Sequence, residues 1–237
     1  MLFNIAAIFF GLGITFYTAV LTLIDRLRNK LSRERVDRRF RWWASSLLKF
    51  VGATYTVCGR DRIRFEKGRK YIVMCNHASH FDIPLAVMAL NTSVRMMAKR
   101  ELIRVPIWGK AMLASDIVSI DRKNSKRALK DLERAKAVLE KGIVLWIAPE
   151  GTRSKTGELQ PFKRGGFKLA VDVGATIVPM GIRGSHDLMP AGTLRINRGR
   201  HIDIHFGTPI EASMYGNKDR KELIGAVERQ IGKLCGK

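Results

Sequence analysis

Residues 1–24, MLFNIAAIFFGLGITFYTAVLTLI, carry no charged side chain. As a helix rising 1.5 Å per residue they span roughly 36 Å, enough to cross a hydrocarbon layer of about 30 Å. Arg26, Arg28, Lys30, Arg33, Arg35, Arg38, Arg39 and Arg41 follow at once, diluted only by Asp25, Glu34 and Asp37, as expected for a segment held at cytoplasmic headgroups. A secretory leader would carry its charges before the apolar run and a small-residue cleavage site after it, so this segment is expected to be retained. The next stretch, with Trp42, Trp43, Leu47, Leu48, Phe50 and Val51 around Lys49 and two serines, is too short and polar to span but suits the aromatic interface layer. The pattern predicts two membrane-contacting helices, the first deep and the second interfacial. It leaves open whether the first crosses the bilayer, embeds in one leaflet or is a buried core helix.

Past residue 52 the period changes. Short Val- and Ile-rich runs at 71–75, 94–98, 117–120, 143–147 and 176–182 are bounded by polar, Gly or Pro residues and predict buried strands. Helical patterns lie between them at 83–90, at 125–140 with Leu129, Leu132, Ala135 and Leu139 on one stripe, and at 162–173. An alternating strand at 201–206 and an amphipathic helix at 219–234 follow. Strands alternating with helices predict an α/β domain with a mostly parallel sheet flanked by helices, whose ligands gather beyond the carboxyl ends of the strands. The expected division is a membrane-associated helical segment at 1–52 and an α/β domain at 53–237.

At 46% hydrophobic and 27% charged residues, the composition excludes a disordered, collagenous or multi-span membrane protein. Cys58, Cys75 and Cys235 form no CxxC pair, which argues against a disulfide-stapled secreted domain. Forty-three basic against 21 acidic residues leave a net charge of +22, so an anionic partner is expected, whether nucleic acid, anionic membrane or phosphorylated substrate. No RNA-stacking motif supports the first of these. Runs at 67–70, 122–127 and 195–200 are candidate anion-binding faces, although each run alone is equally a solvated surface.

Polar chemistry clusters where two strands end. The run YIVMC passes into Asn76-His77-Ala78-Ser79-His80-Phe81-Asp82 and then a helix beginning IPLA. On one helix, His77 and Asp82 would stand about 140° apart around the axis, so a turn must join them. Asp82 near the helix N-cap, with Pro84 in the first turn, can reach back to Nδ1 of His77 and fix its tautomer. Nε2 is then suited to removing a proton from an alcohol. A helix cap beside a surface histidine is the alternative. Zinc fails on inventory, since His186, His201 and His205 lie in unrelated segments. The run IVLWI leads into Ala148-Pro149-Glu150-Gly151-Thr152-Arg153-Ser154. There Gly151 permits close backbone approach, Thr152 offers a hydroxyl, Arg153 can fork onto a phosphate and Glu150 can hold that guanidinium. An ordinary turn with a surface ion pair also fits these residues.

Four blocks occur in order: NHxxxxD at 76–82, Lys99-Arg100-Glu101-Leu102 with Pro106 and Gly109, Pro149 to Ser154, and Ile177-Val178-Pro179. Together they resemble the 1-acylglycerol-3-phosphate acyltransferases, over residues 50 to 210, and the two-helix basic N-terminus is similar to that of bacterial members. The resemblance implies a glycerol-3-phosphate acyltransferase-like fold. It implies transfer of a fatty acyl group from acyl-CoA or acyl carrier protein to the sn-2 hydroxyl of lysophosphatidic acid, giving phosphatidic acid. His77 is then the general base and Asp82 its orienting partner. Glu150, Gly151, Thr152 and Arg153 form the block that holds the glycerol phosphate, with Lys99 and Arg122 as cationic helpers. No metal or resident cofactor is implied; the thioester is a co-substrate. Membrane lipids and the donor are the implied partners, at the cytoplasmic face of the cell membrane. The alternatives are an acyltransferase for another lysophospholipid or lyso-aminolipid, and a non-enzymatic basic membrane-binding protein.

Overall fold

A computed structural model describes residues 2–121, 125–216 and 218–236. Arg122 and Lys123 lie outside the described residues, and the side chains of residues 125–130, Leu129 among them, are likewise not described. The chain opens with α1 (Leu2–Leu27) and α2 (Arg33–Phe50), then β1 (Thr54–Cys58), β2 (Tyr71–Cys75), α3 (Asp82–Leu90) and β3 (Val94–Lys99). It continues through α4 (Arg100–Ile103), α5 (Trp108–Ala114), β4 (Val118–Ile120), α6 (Ser125–Glu140), β5 (Val144–Ile147), α7 (Arg164–Val173) and β6 (Thr176–Arg183). The last elements are α8 (Ser185–Leu188), β7 (His201–Phe206), the short β8 (Ile210–Glu211) and α9 (Arg220–Leu234).

The strands form one sheet in the order β1-β7-β6-β2-β5-β3-β4, with β8 added to β6. β2 to β6 run parallel, while β7 pairs antiparallel to β6, giving the mostly parallel α/β sheet that the alternating pattern predicts. β2 lies between β5 and β6 with every residue buried, which explains its unbroken apolar run. Alternate residues feed the two faces: Val73, Cys75, Trp146 and Val178 pack with α2 and α3, and Ile72, Met74, Leu145 and Ile177 with α6, α7 and α9. The edge strand β1 has no counterpart among the predicted elements. Its exposure alternates, so it lacks the apolar run that marks the central strands.

α1 is, among the described residues, the one helix long and apolar enough to cross a membrane. It exposes Leu2, Ile5, Phe9, Leu12 and Phe16, spaced by threes and fours so that they share one face. Its other face lies along α2: Phe10 stacks on Phe50 at 4.1 Å, Trp43 Nε1 donates to Thr15 Oγ1 at 2.9 Å, and Asp25 is paired by Arg39 and Arg35. Arg198, from the basic run at 195–200, stands 4.3 Å over the ring of Phe3.

α2 is also bolted to the body. Arg33 donates to Ser93 Oγ and to the carbonyls of Lys141 and Gly142, each at 2.8 Å. Asp37 accepts from Nη1 of the fully buried Arg95 at 2.6 Å. Arg95 Nε donates to the Ser115 carbonyl at 2.5 Å, and its guanidinium lies 5.1 Å from the Phe40 ring. Thus Arg33 and Asp37, read in the sequence as part of a headgroup collar, are bonded to the sheet side. Leu48, read as interfacial, is only 3% exposed.

Between α4 and α5 the backbone makes a tight corner. Ile107 has φ +65° and ψ −63°, and Trp108 N–H reaches the Pro106 carbonyl at 2.6 Å, the rarer and strained form of γ-turn. A Cβ at Gly109 would stand 1.9 Å from the Ile103 carbonyl oxygen, so only glycine fits there.

Candidate active site

Because β5 lies beside β2, the parallel ladder brings their carboxyl ends together, and with them both polar blocks. The first block is fixed by its own side chains. Asn76 continues the β2–β6 ladder with its amide, donating to the Ile182 carbonyl at 2.9 Å and accepting from Ile182 N–H at 2.8 Å. Ser79 Oγ donates to the Met189 carbonyl at 2.9 Å. The chain therefore leaves β2 in a set direction, and His77 points from a braced turn.

Asp82 is completely buried. Its Oδ2 lies 2.7 Å from Nδ1 of His77 and accepts from Ala78 N–H and Ser79 N–H, both at 2.8 Å. As expected from the sequence, Asp82 lies next to the N-cap, as the first residue of α3 after Phe81, and its carboxylate reaches back to His77 and closes the preceding turn. This donor set fixes the tautomer. An ionised carboxylate only accepts, so Nδ1 carries the proton and Nε2 presents a lone pair. Nε2 has no hydrogen-bond partner among the described residues, and the edge of Trp146 walls the ring at 5.5 Å between centroids. Oδ1 of Asp82 is buried without a hydrogen-bond partner among the described residues.

The second block clamps the first. Glu150 Oε1 accepts from His77 N–H at 2.7 Å, and Ser154 N–H donates to the His77 carbonyl at 2.7 Å. Both backbone polar groups of His77 are thus held by the neighbouring loop. The second oxygen of Glu150 accepts from Gln160 N–H at 2.9 Å, and the residue is 2% exposed. Burial raises its pKa, opposed by those two N–H donors. Glu150 therefore does not hold Arg153 as the sequence suggests, and it offers no free oxygen to a ligand; it positions His77.

Arg153 is half-buried, and among the described residues no side chain or carbonyl bonds its guanidinium. Burial lowers its pKa, and the charge of Asp82 raises it back in part. A partly desolvated cation without a bonded partner is stabilised by any anion that reaches it. Although part of His80 reaches solvent, crowding by protein and then the charges of Arg153 and His77 push its imidazole down to about 4. His80 is therefore neutral at pH 7, while Arg153 keeps its charge within reach of Asp82. Thr152 is exposed. Gly151 adopts φ +72°, and a Cβ there would meet the stem and amine of Lys163 at 2.9 to 3.1 Å.

Lys99 does not join this cluster. It ends β3, one strand beyond β5, is 53% exposed and pairs with Glu101 at 3.4 Å. Arg122 falls outside the described residues. Gln160 is a contributor that residue-type reasoning missed, while Asn76 had a signal without an assigned role, an amide wedged between a buried strand and the histidine.

The acyltransferase family model matches residues 56–183, a span that holds both clamped blocks. A 1-acyl-sn-glycerol-3-phosphate acyltransferase of Cocos nucifera is 36% identical over 70% of this chain and 52% of its own length. The human 1-acyl-sn-glycerol-3-phosphate acyltransferase beta is 32% identical over 59% of this chain and 50% of its own. The chain thus spans about half the length of the curated relatives it matches. The crystal structure of the 1-acyl-sn-glycerophosphate acyltransferase PlsC of Thermotoga maritima superposes with a TM-score of 0.81 at 24% identity, covering 98% of this chain and 92% of that one, and so shares the fold. With sheet order, clamped histidine and family match all falling on the same residues, the chain belongs to the acyltransferase family.

Proposed function

We propose that the protein transfers a fatty acyl group from a thioester, acyl-CoA or acyl carrier protein, to the sn-2 hydroxyl of 1-acyl-glycerol-3-phosphate, forming phosphatidic acid. The observation that carries this reading is a histidine whose Nδ1 is held by a buried carboxylate and whose Nε2 is open, with the unbonded guanidinium of Arg153 within electrostatic reach of that carboxylate. His77 Nε2 takes the proton of the hydroxyl as its oxygen attacks the thioester carbonyl. The tetrahedral intermediate collapses with loss of the thiolate, which recovers that proton from the imidazolium. The ester bond forms, the C–S bond breaks, and no protein group is acylated. The chemistry needs no metal or resident cofactor. Arg153 holds the acceptor phosphate.

Reconstituted protein given a labelled thioester and a panel of lyso-acceptors is expected to form phosphatidic acid from lysophosphatidate. Transfer to another lysophospholipid or lyso-aminolipid keeps the chemistry and replaces the acceptor. Absence of transfer from either donor type overturns the reading in favour of a basic membrane-binding protein. Arg153→Ala is expected to raise the acceptor KM about tenfold or more, with the donor KM unchanged. A rise in donor KM alone would move Arg153 to the donor side.

The proposed location is the cytoplasmic face of the cell membrane, with α1 lying in one leaflet. Both ends of α1 are tied down on one side, Phe3 under Arg198 of the body and Asp25 to Arg35 and Arg39 of α2, which is itself bonded to the body. A spanning helix of this length would carry one end away from the body, across the bilayer. The exposed stripe from Leu2 to Phe16 then faces acyl chains. In a background carrying Cys58→Ser and Cys235→Ser, N4C, off that stripe, and R28C are both expected to react with an impermeant maleimide added to the protein-bearing side of vesicles. Reaction of N4C only from the opposite side would make α1 a span.

A further inference from the structure

Arg164 opens α7, Lys218 and Lys221 flank the start of α9, and together with Arg220 and Ile224 they line an open surface cavity of about 290 Å³. The exposed Arg164, Lys218 and Lys221 converge there beside Arg220, which has a partner of its own, and among the described residues no carboxylate lines the space. Among the described residues, no hydrogen bond or ion pair holds the side chain of Arg164, Lys218 or Lys221. Asp219, between two of them in sequence, is turned to Gly216 N–H at 3.2 Å. Like charges gathered this way repel one another, and an anion in the cavity relieves that repulsion.

Position narrows the kind of anion. α7 and α9 cover the sheet face opposite α2 and α3, so with α1 in the bilayer the cavity faces water, and lipid headgroups lie on the other side. It is nonetheless linked to the acyl-transfer centre. Arg164 follows Lys163, whose stem and amine lie against Gly151, and Gly151 follows the carboxylate that holds His77 N–H. A site at one remove from the reacting histidine suits a donor whose phosphates are separated from its acyl carbon by a long arm.

We propose that this cavity binds the phosphoryl groups of a water-soluble thioester donor, the nucleotide end of a coenzyme A ester, with Arg164 and Lys221 among the contacts. The assignment of the ligand rests on the acyl-transfer reading; the anion site does not. The probe is adenosine 3′,5′-bisphosphate, titrated against the full chain in lipid nanodiscs at fixed salt. The double variant Arg164→Gln/Lys221→Gln is expected to weaken binding about tenfold or more. The charge-matched control Arg62→Gln/Lys67→Gln, on exposed residues of another surface, is expected to leave it unchanged. Equal weakening in both double variants, or no binding to the parent, overturns the site. If the double variant does not fold, the single variant Lys221→Glu gives the same reading.

Kinetics then separate the ligand from the reaction. The double variant is expected to raise the KM for acyl-CoA about tenfold and to leave that for acyl-pantetheine, which lacks the nucleotide, unchanged. A rise for both donors overturns the nucleotide assignment. So does a loss confined to acyl carrier protein, which would make the cavity a dock for an acidic protein. Nucleotide binding that depends on Arg164 and Lys221 in a protein without turnover on any donor would support the site while overturning the acyl-transfer reading.

Discussion

His77→Ala is expected to lower kcat by about 10³- to 10⁴-fold, the range lost when a positioned proton acceptor is removed, and to leave vesicle binding unchanged. The structure predicts that this variant folds. The backbone of His77 stays held by Glu150 and Ser154, and Asp82 Oδ2 keeps the N–H donors of Ala78 and Ser79. Only the 2.7 Å contact to Nδ1 is lost. The measurement pairs single-turnover transfer with vesicle pelleting of the same preparation. Turnover within tenfold of the parent protein would remove His77 from the chemistry, and loss of pelleting would show that the loop also supports α1 and α2.

The second large effect is on stability. Asp37→Ala leaves the guanidinium of Arg95, which has no exposed surface, without the carboxylate that accepts from it at 2.6 Å. Breaking one side of a buried ion pair typically costs about 3–5 kcal/mol, because the remaining charge stays desolvated. Arg95 also ties β3 to the Ser115 carbonyl at the end of α5, so the damage is expected to spread to α5. The double variant Asp37→Leu/Arg95→Met removes both charges and is expected to recover much of the loss. Unfolding midpoints in denaturant, read on the parent, single and double variants, check this. A single-variant loss below about 1 kcal/mol would mean that water reaches Arg95.

The central strands and the helices between them were legible because burial on both faces writes an unbroken apolar run and a 3.6 period. The two site blocks were legible as polar clusters at strand ends. What the sequence did not carry was the pairing of charges. Arg33 and Asp37 look no different from Arg35 and Arg38, yet the first two bond to the body. Glu150 stands three residues from Arg153 and reads as its partner, while its oxygens face the N–H groups of His77 and Gln160. Asp82 was legible as the partner of His77, but not that the same oxygen also accepts from Ala78 and Ser79 N–H in the turn behind it. Such choices are made by contacts across the sheet, which periodicity along one chain does not record.

In the proposed membrane-bound protein, the pairing of α1 with α2 from Phe10 to Asp25 fixes the height and tilt of the body over the lipid, and substrate encounter becomes two-dimensional. The acceptor then reaches His77 by lateral diffusion, so its effective concentration is a number per unit of membrane area. Diluting lysophosphatidate with inert phospholipid at constant total amount is expected to slow transfer, whereas enlarging the aqueous volume affects only the soluble donor.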